Sequence, residues 1–521
     1  MRSTPNEAGN KATGGTRAPA GSVLRWSLAF LLLSGALSAQ FSDFATGLPA
    51  EIIMPNASLD HTPALLSVRI HARNPGDQDW TYYLLSNQNG TWRSDRVLGV
   101  VQPGEEYTFT VDLEASYNGK SHETNSYAVM ATGNAVPLGR YFKVEEDWSA
   151  YENSTRQAVA QGVMVFVPLA GIAIFLILLT MAEWAYTSEA KGEYKDEYTM
   201  KTLVLPKVRN RPRKELLADI LLHPLAWLAE LLIVAGMAKL IWDGLVAKAV
   251  ANPSDVMLLA GAGALLVPLV YFFLAWVYNE QVERMPLRFL AGMFFFGAAC
   301  AVAALFINSY YMAIAGSLLA VDKTLMLLLV SALFAPFVEE FLKGAGLAIL
   351  LGHHEFSDAL HGLHLGFAVG LGFSFVENWF YFASRTDPFQ TGLAVWVGLV
   401  IYRSFFNSIS HAFFSAALGA TLGWAKSQDW GRIAMLAFVP GLATAVALHS
   451  IFNITATLDG FWALSSNFAV YVFNPTLVII QLGLLVGLFV VATMDHRQLE
   501  ARKEGAVEGM LRSYRRKVRG G

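Results

Sequence analysis

Nine apolar stretches dominate this chain, at about residues 158–182, 217–247, 255–278, 287–315, 324–351, 361–383, 393–424, 433–456 and 468–493. At 1.5 Å per helical residue, each is long enough to cross about 30 Å of hydrocarbon. Lipid offers no partners to backbone N–H and C=O groups, so a spanning segment must pair its own, as a helix does. The expected fold is therefore mainly α, a polytopic membrane helix bundle of about nine spans. Composition agrees, with 54% of the 521 residues hydrophobic and only 15% charged, where soluble proteins carry about 25% charged. That balance excludes a disordered chain and argues against a cytosolic enzyme. A net charge of −3 gives no electrostatic case for nucleic acid as a partner. Cys300 is the single cysteine, so neither an intrachain disulfide nor a zinc-cysteine cluster can form.

The first 150 residues differ in kind. Residues 1–22 are polar and small, and Arg2, Lys11, Arg17 and Arg25 precede the apolar run Trp26–Leu37. A positive segment followed by a short apolar one is the pattern of a signal peptide, or of a signal anchor if it is not removed. Residues 1–40 are thus expected to be a leader and residues 41–150 to be exported. Within 41–150 the short β-prone runs Val68–Ile70, Trp80–Tyr82, Val97–Val100, Tyr107–Val111 and Tyr127–Val129 alternate with Asn74-Pro75-Gly76, Asn89-Gly90, Pro103-Gly104 and Asn118-Gly119. Strand-like runs between turn dipeptides over this length predict an Ig-like antiparallel β-sandwich. Asn56, Asn89 and Asn153 head glycosylation sequons that suit an exported surface. The sequence shows no short internal repeat.

Lysine and arginine set the expected orientation, because they accumulate in cytoplasmic loops. With residues 41–150 outside, the loops 183–216, 279–286, 352–360 and 425–432 and the basic tail 494–521 are cytoplasmic. Loop 183–216 holds Lys191, Lys195, Lys201, Lys207, Arg209, Arg211, Arg213 and Lys214, and the tail holds eight more. The opposite loops after the second span hold only Lys248, Lys323 and Arg385.

Ionisable side chains are costly in lipid and mark functional positions. The fifth span carries Glu339, Glu340 and Lys343, where Glu339 and Lys343 stand four apart and can pair. Glu340 points about 100° away from Glu339, so one carboxylate can be ion-paired while the other meets water. The sixth span places Phe373, Glu377 and Tyr381 on one face, beside Asn378. The seventh places Arg403, Asn407 and His411 at four-residue spacing, and the eighth His449 and Asn453. Counted from the cytoplasmic helix ends at 1.5 Å per residue, Glu340 lies about 16 Å deep, His411 about 20 Å, and Glu377 and His449 about 24 Å. Four helices thus bring their polar groups to one layer. Carboxylates and imidazoles together form a general-base and metal-ligand set, and zinc suits such donors. A metal- or carboxylate-activated water attacking an amide would find Asn453, Asn378 or Arg403 as oxyanion donors. His353, His354, His361 and His364 form a second cluster at the cytoplasmic rim, read as loop and interface residues. Asn453-Ile-Thr is a sequon in letters only, since it lies in a span.

Taken in order, Glu339-Glu340-x-x-Lys343, Gly366…Phe373-x-x-x-Glu377-Asn378-x-x-Tyr381, Arg403…His411…Gly419 and His449-x-x-Phe452-Asn453 resemble the PrsW family of intramembrane proteases over about residues 330–455. That family is similar to the CAAX prenyl proteases, from whose pattern this chain departs by Glu377 in place of a histidine and Lys343 in place of an arginine. The resemblance implies peptide-bond hydrolysis, with membrane-anchored anti-sigma factors as the family's substrates, cut on the extracytoplasmic side. It implies a protease core of about 324–456 within the membrane domain 158–493. On this reading Glu339 or Glu340 activates water. His411, His449 and Glu377 bind a metal or orient that water. Asn453 or Asn378 serves the oxyanion, and Lys343 fixes a carboxylate. Two readings from other classes use the same residues or none of them. One is a proton- or ion-coupled transporter, against which stands the lack of paired broken helices. The other is a non-catalytic receptor or scaffold working through residues 41–150.

Overall fold

A computed structural model of the chain describes residues 45–54, 58–88, 91–133, 136–190, 213–248, 250, 252–282, 285–318, 326, 329–386, 388–428, 430–458 and 474–519. The expected leader, the sequon residues Asn56 and Asn89, and the basic run 191–212 lie outside these. The chain divides into two units, Met1–Glu152 and Asn153–Gly521.

The first unit consists of β1 (Ala45–Thr46), β2 (Ala50–Ile53), β3 (Ala64–Arg73), β4 (Trp80–Gln88), β5 (Thr91–Val101), β6 (Glu106–Ala115), β7 (His122–Thr132) and β8 (Leu138–Asp147). They form a five-stranded sheet, β1-β8-β7-β4-β5, and a three-stranded sheet, β2-β3-β6. All pairs are antiparallel except β1 with β8. Strand β3 buries every second side chain, with Leu66, Val68 and Ile70 inward, as a half-buried strand must. Tyr82 of one sheet meets Phe109 of the other at 5.7 Å between ring centres, and burial pushes the Tyr82 phenol up to about 12. All five predicted β-runs fall on strands. The turn at Asn74 closes through its side chain, which donates to Gln78 O and Val101 O and accepts from Gly76 N. Strand β8 escaped the sequence pattern because one of its inward positions is a carboxylate. Glu146 is buried and accepts from Asn125 Nδ2 at 2.8 Å and Trp148 Nε1 at 3.1 Å.

The second unit is helical. Its elements are α1 (Ser149–Ala190), α2 (Arg213–Leu221), α3 (Pro224–Ala247), α4 (Pro253–Val282), α5 (Leu287–Leu318), α6 (Ala335–Leu350), α7 (Ala359–Phe380), α8 (Pro388–Thr391), α9 (Leu393–Ser427), α10 (Phe438–Leu458) and α11 (Asn474–Arg519). A π-turn, Val330–Phe334, leads into α6, and a second, Tyr381–Arg385, follows α7. Among the described residues eight helices are long and apolar enough to cross a membrane. The expected fifth span, 324–351, is described only in part, as the first π-turn and α6. Two boundaries differ from expectation. Helix α1 starts nine residues before 158, so Asn153 and its polar neighbours are helical, and α11 runs unbroken through the basic tail to Arg519.

Helix α7 is the axis of the bundle, with every residue from Ala359 to Ser374 buried. Its glycines recur every four residues, which puts small positions on one face and lets backbones approach. A Cβ on Gly362, Gly366 or Gly370 would stand 1.9, 2.2 or 2.3 Å from the carbonyl oxygens of Gly419, Ser415 and His411 of α9. On its other side a Cβ on Gly372 would stand 1.8 Å from Phe294 O of α5. Backbone contact on both sides sets how far the polar side chains of α7 and α9 stand apart.

Gly366→Val should therefore separate α7 from α9. Overpacking costs about 1–3 kcal/mol, and here the clash is with backbone that cannot move aside, so the upper end is expected as a lowered melting temperature in detergent. Gly398→Ala, with nothing within 4 Å of its Cβ, should leave the melting temperature unchanged.

Candidate active site

The sequence-marked polar residues converge between α6, α7, α9 and α10. Helix α6 begins beyond a π-turn, whose wider coil re-registers the side chains that follow. Glu339 and Glu340 then point to different places. Glu340 and Lys343 are fully buried, and Lys343 Nζ lies 2.5 Å from Glu340 Oε1. The lysine thus pairs with the carboxylate three positions back, whereas the sequence spacing had favoured Glu339, four back. Three further contacts explain this choice. Ser415 Oγ donates to Glu340 Oε2 at 3.0 Å, His449 Nδ1 lies 3.0 Å from Glu340 Oε1, and the Lys343 ammonium stands 4.1 Å over the Phe373 ring. A buried charge needs both a counter-charge and filled lone pairs, and of these two adjacent glutamates Glu340 has them.

Glu339 faces a cavity of about 520 Å³, together with Phe373, Glu377, Tyr381, Arg403 and Asn453. Both π-turns contribute to its wall, through Val330 and Ser331 and through Tyr381 and Arg385. Oε1 of Glu339 accepts from Asn308 Nδ2 at 3.2 Å. Oε2 has no hydrogen-bond partner among the described residues and lies 3.8 Å from His449 Nε2.

Glu377 is held from α9. His411 Nε2 lies 2.8 Å from its Oε2, Asn407 Nδ2 donates to the same oxygen at 3.1 Å, and Arg403 Nη2 reaches Oε1 at 3.5 Å. Arg403 also lies 4.0 Å over the Tyr381 ring. The rings of His411 and His449 meet edge to face at 4.9 Å. One ligand atom from each of Glu339, His411 and His449 lies within 4.8 Å of the others, and all three residues are buried. These three are the donor set that a single ion could reach, with Glu377 set against His411. Asn453 donates to Ser331 O at 2.8 Å at the cavity wall. Asn378 is buried behind the cavity. Its Oδ1 accepts from Arg403 Nε and Asn407 Nδ2, and its Nδ2 donates to Ser374 and Ser408. Its amide is saturated by the protein and does not line the cavity.

Sequence reasoning missed two participants. Ser415 extends the Arg403–Asn407–His411 ladder by one more step of four, so the same periodicity would have found it. Asn308 heads the short polar run Asn308-Ser309-Tyr310-Tyr311 in an otherwise apolar span, and nothing in its spacing ties it to Glu339.

Fold and site together define a polytopic membrane protein with a buried carboxylate–imidazole centre open to an internal cavity. Residues 285–480 match the PrsW-protease family model, described as PrsW family intramembrane metalloprotease. That stretch contains every residue of the site and extends the resemblance seen in the motifs, so this part of the chain is similar to the intramembrane metalloproteases of that family. No curated protein and no solved structure matches the chain.

The pairing carries a prediction about stability. Lys343→Met strands the Glu340 charge, and removing one partner of a buried pair costs about 3–5 kcal/mol. The double variant Lys343→Met/Glu340→Gln should recover part of that loss, as read by thermal unfolding in detergent. Glu339→Gln, which breaks no ion pair of this kind, should change stability far less.

Proposed function

We propose that the chain hydrolyses a peptide bond of a membrane-anchored protein within this cavity. The observation that carries the reading is the Glu339 carboxylate. It is buried and cavity-facing, with one oxygen left without a hydrogen bond, 3.8 Å from the His449 imidazole. An unpaired buried carboxylate oxygen costs stability, and a site that binds water, metal or substrate offsets that cost.

Glu339, His411 and His449 would hold the metal that the family description implies, and two imidazoles with a carboxylate suit zinc. Bound there, it would make a water nucleophilic at neutral pH. The chain's own groups do the remainder. Glu377 lines the cavity next to His411 and accepts the proton of the attacking water. Its three donors, His411, Asn407 and Arg403, fix its position. The proton then passes to the leaving amide nitrogen, as general acid–base catalysis requires. Arg403 and Asn453 present N–H groups to the cavity, where charge develops on the carbonyl oxygen. Asn378 positions Arg403 and Asn407, and Lys343 with Ser415 locks Glu340, so neither touches substrate.

The substrate is a membrane-anchored polypeptide with a locally unwound segment, because a helix hides its amides from attack. Anti-sigma factors are the substrate class that the family resemblance suggests. The charge asymmetry of the loops supports an extracytoplasmic position for residues 41–150 and for the cleavage site, with the C-terminus in the cytoplasm. The β-unit then serves as a screen or cap for substrate ectodomains.

Cleavage of a single-span reporter in membranes tests this. Glu339→Gln, Glu377→Gln and His449→Ala should each lower the rate by about 10²-fold or more, with the protein still folded in the membrane. Zinc content should fall in Glu339→Gln and His449→Ala and persist in Glu377→Gln. Retained cleavage by both Glu339→Gln and His449→Ala would overturn the mechanism.

A further inference from the structure

The Glu339 cavity continues sideways into a second space. A groove of about 300 Å³ runs along α3 and adjoins it. Met237, Leu305, Ser309 and Phe380 line both, so they mark where groove and cavity meet. On α3 the groove takes Met237, Leu240, Ile241 and Gly244, with Lys248 just past the helix end, all on one helical face. Leu305 and Phe306 of α5 form the facing wall. Leu240 and Phe306 are 53% and 52% exposed, so the groove opens outward. Exposed apolar side chains are ordinary in a membrane protein. A concave apolar face that leads to an open carboxylate is not. A Cβ on Gly244 would meet nothing within 4 Å, which leaves room for the backbone of another helix.

The end of the groove is basic. Lys248 lines the groove and Arg385 lines the cavity. Lys248 Nζ donates to the carbonyl oxygen of Ser384, the neighbour of Arg385, at 3.5 Å. The Arg385 guanidinium lies 5.9 Å over the ring of Phe380, which groove and cavity share. Both cations are exposed, and among the described residues neither pairs with a carboxylate. Asp243, five positions before Lys248, is taken by Lys239. Two neighbouring cations without a counter-charge repel each other and attract an anion.

We propose that the substrate's transmembrane helix docks in this groove and that an acidic residue at its end pairs with Lys248 and Arg385. The inference rests on the hydrolytic reading above and narrows its substrate class to single-span segments with Asp or Glu at this boundary. A membrane-anchored chain reaches a buried cavity from the side, through lipid, and the groove is an apolar lateral path to it. Because Arg385 lines the cavity itself, a carboxylate carried in by the substrate is favoured over a lipid phosphate. The pairing also sets a register. From Met237 to Lys248 α3 rises about 16 Å, at 1.5 Å per residue. A helical substrate covers that distance in about eleven residues, and an extended one in about five. The cut bond is therefore expected about five to eleven residues inward from the acid.

Two single-span reporters, alike except for aspartate or lysine at the boundary, test this with the full-length protein in phosphatidylcholine vesicles. Wild type should show a KM about tenfold lower for the aspartate reporter, with kcat little changed. Lys248→Glu/Arg385→Glu should reverse that preference. Equal KM values in wild type would overturn the proposal. So would a double variant that weakens both reporters alike, which would assign the cations to lipid or to folding. Docking is also read without cleavage. With benzoylphenylalanine in place of Leu240 in Glu339→Gln, irradiation should cross-link the aspartate reporter more than the lysine reporter. Capture at Leu240 without cleavage by wild type would remove the hydrolytic reading and leave the docking surface. Absence of capture would overturn the docking, whatever the cleavage result.

Discussion

A charge buried in a membrane protein must be neutralised where it stands, and the Glu340–Lys343 pair does this at the centre of the bundle. The pair decides what its neighbours do. It takes the lysine, the Ser415 hydroxyl and one nitrogen of His449, and leaves Glu339 to face the cavity with an open oxygen. Two adjacent glutamates thereby acquire different tasks through their surroundings alone. One is fully satisfied by the protein, and the other keeps an oxygen open toward the cavity.

The second constraint is steric. Helix α7 touches α9 and α5 backbone to backbone, through glycines that no other residue could replace without separating the helices. This closeness lets Glu377 of α7 reach His411, Asn407 and Arg403 of α9 with ordinary hydrogen-bond lengths. A hydrolytic centre needs its groups held to within fractions of an ångström, and a glycine seam supplies that without loops.

Much of this was legible in the residues. Membrane class and the convergence of Glu339, Glu340, Glu377, His411 and His449 follow from apolar length and four-residue spacing. What sequence could not resolve was the third dimension of each choice. Helical spacing favours Glu339 as the partner of Lys343, and the neighbours from α9 and α10 select Glu340 instead. Asn378 reads like Asn453 in a motif, yet one lies behind the cavity and the other on its wall. Strand β8 was hidden because Glu146, a buried acid with two donors of its own, breaks the apolar alternation.

The central claim is that water is split at this centre and added to a peptide bond. Incubating the purified full-length protein with a single-span peptide in ¹⁸O-water tests it most directly. Mass spectrometry should find fragments in which the newly formed carboxyl end carries the heavy oxygen. An intact peptide, or fragments without the label, would contradict the account.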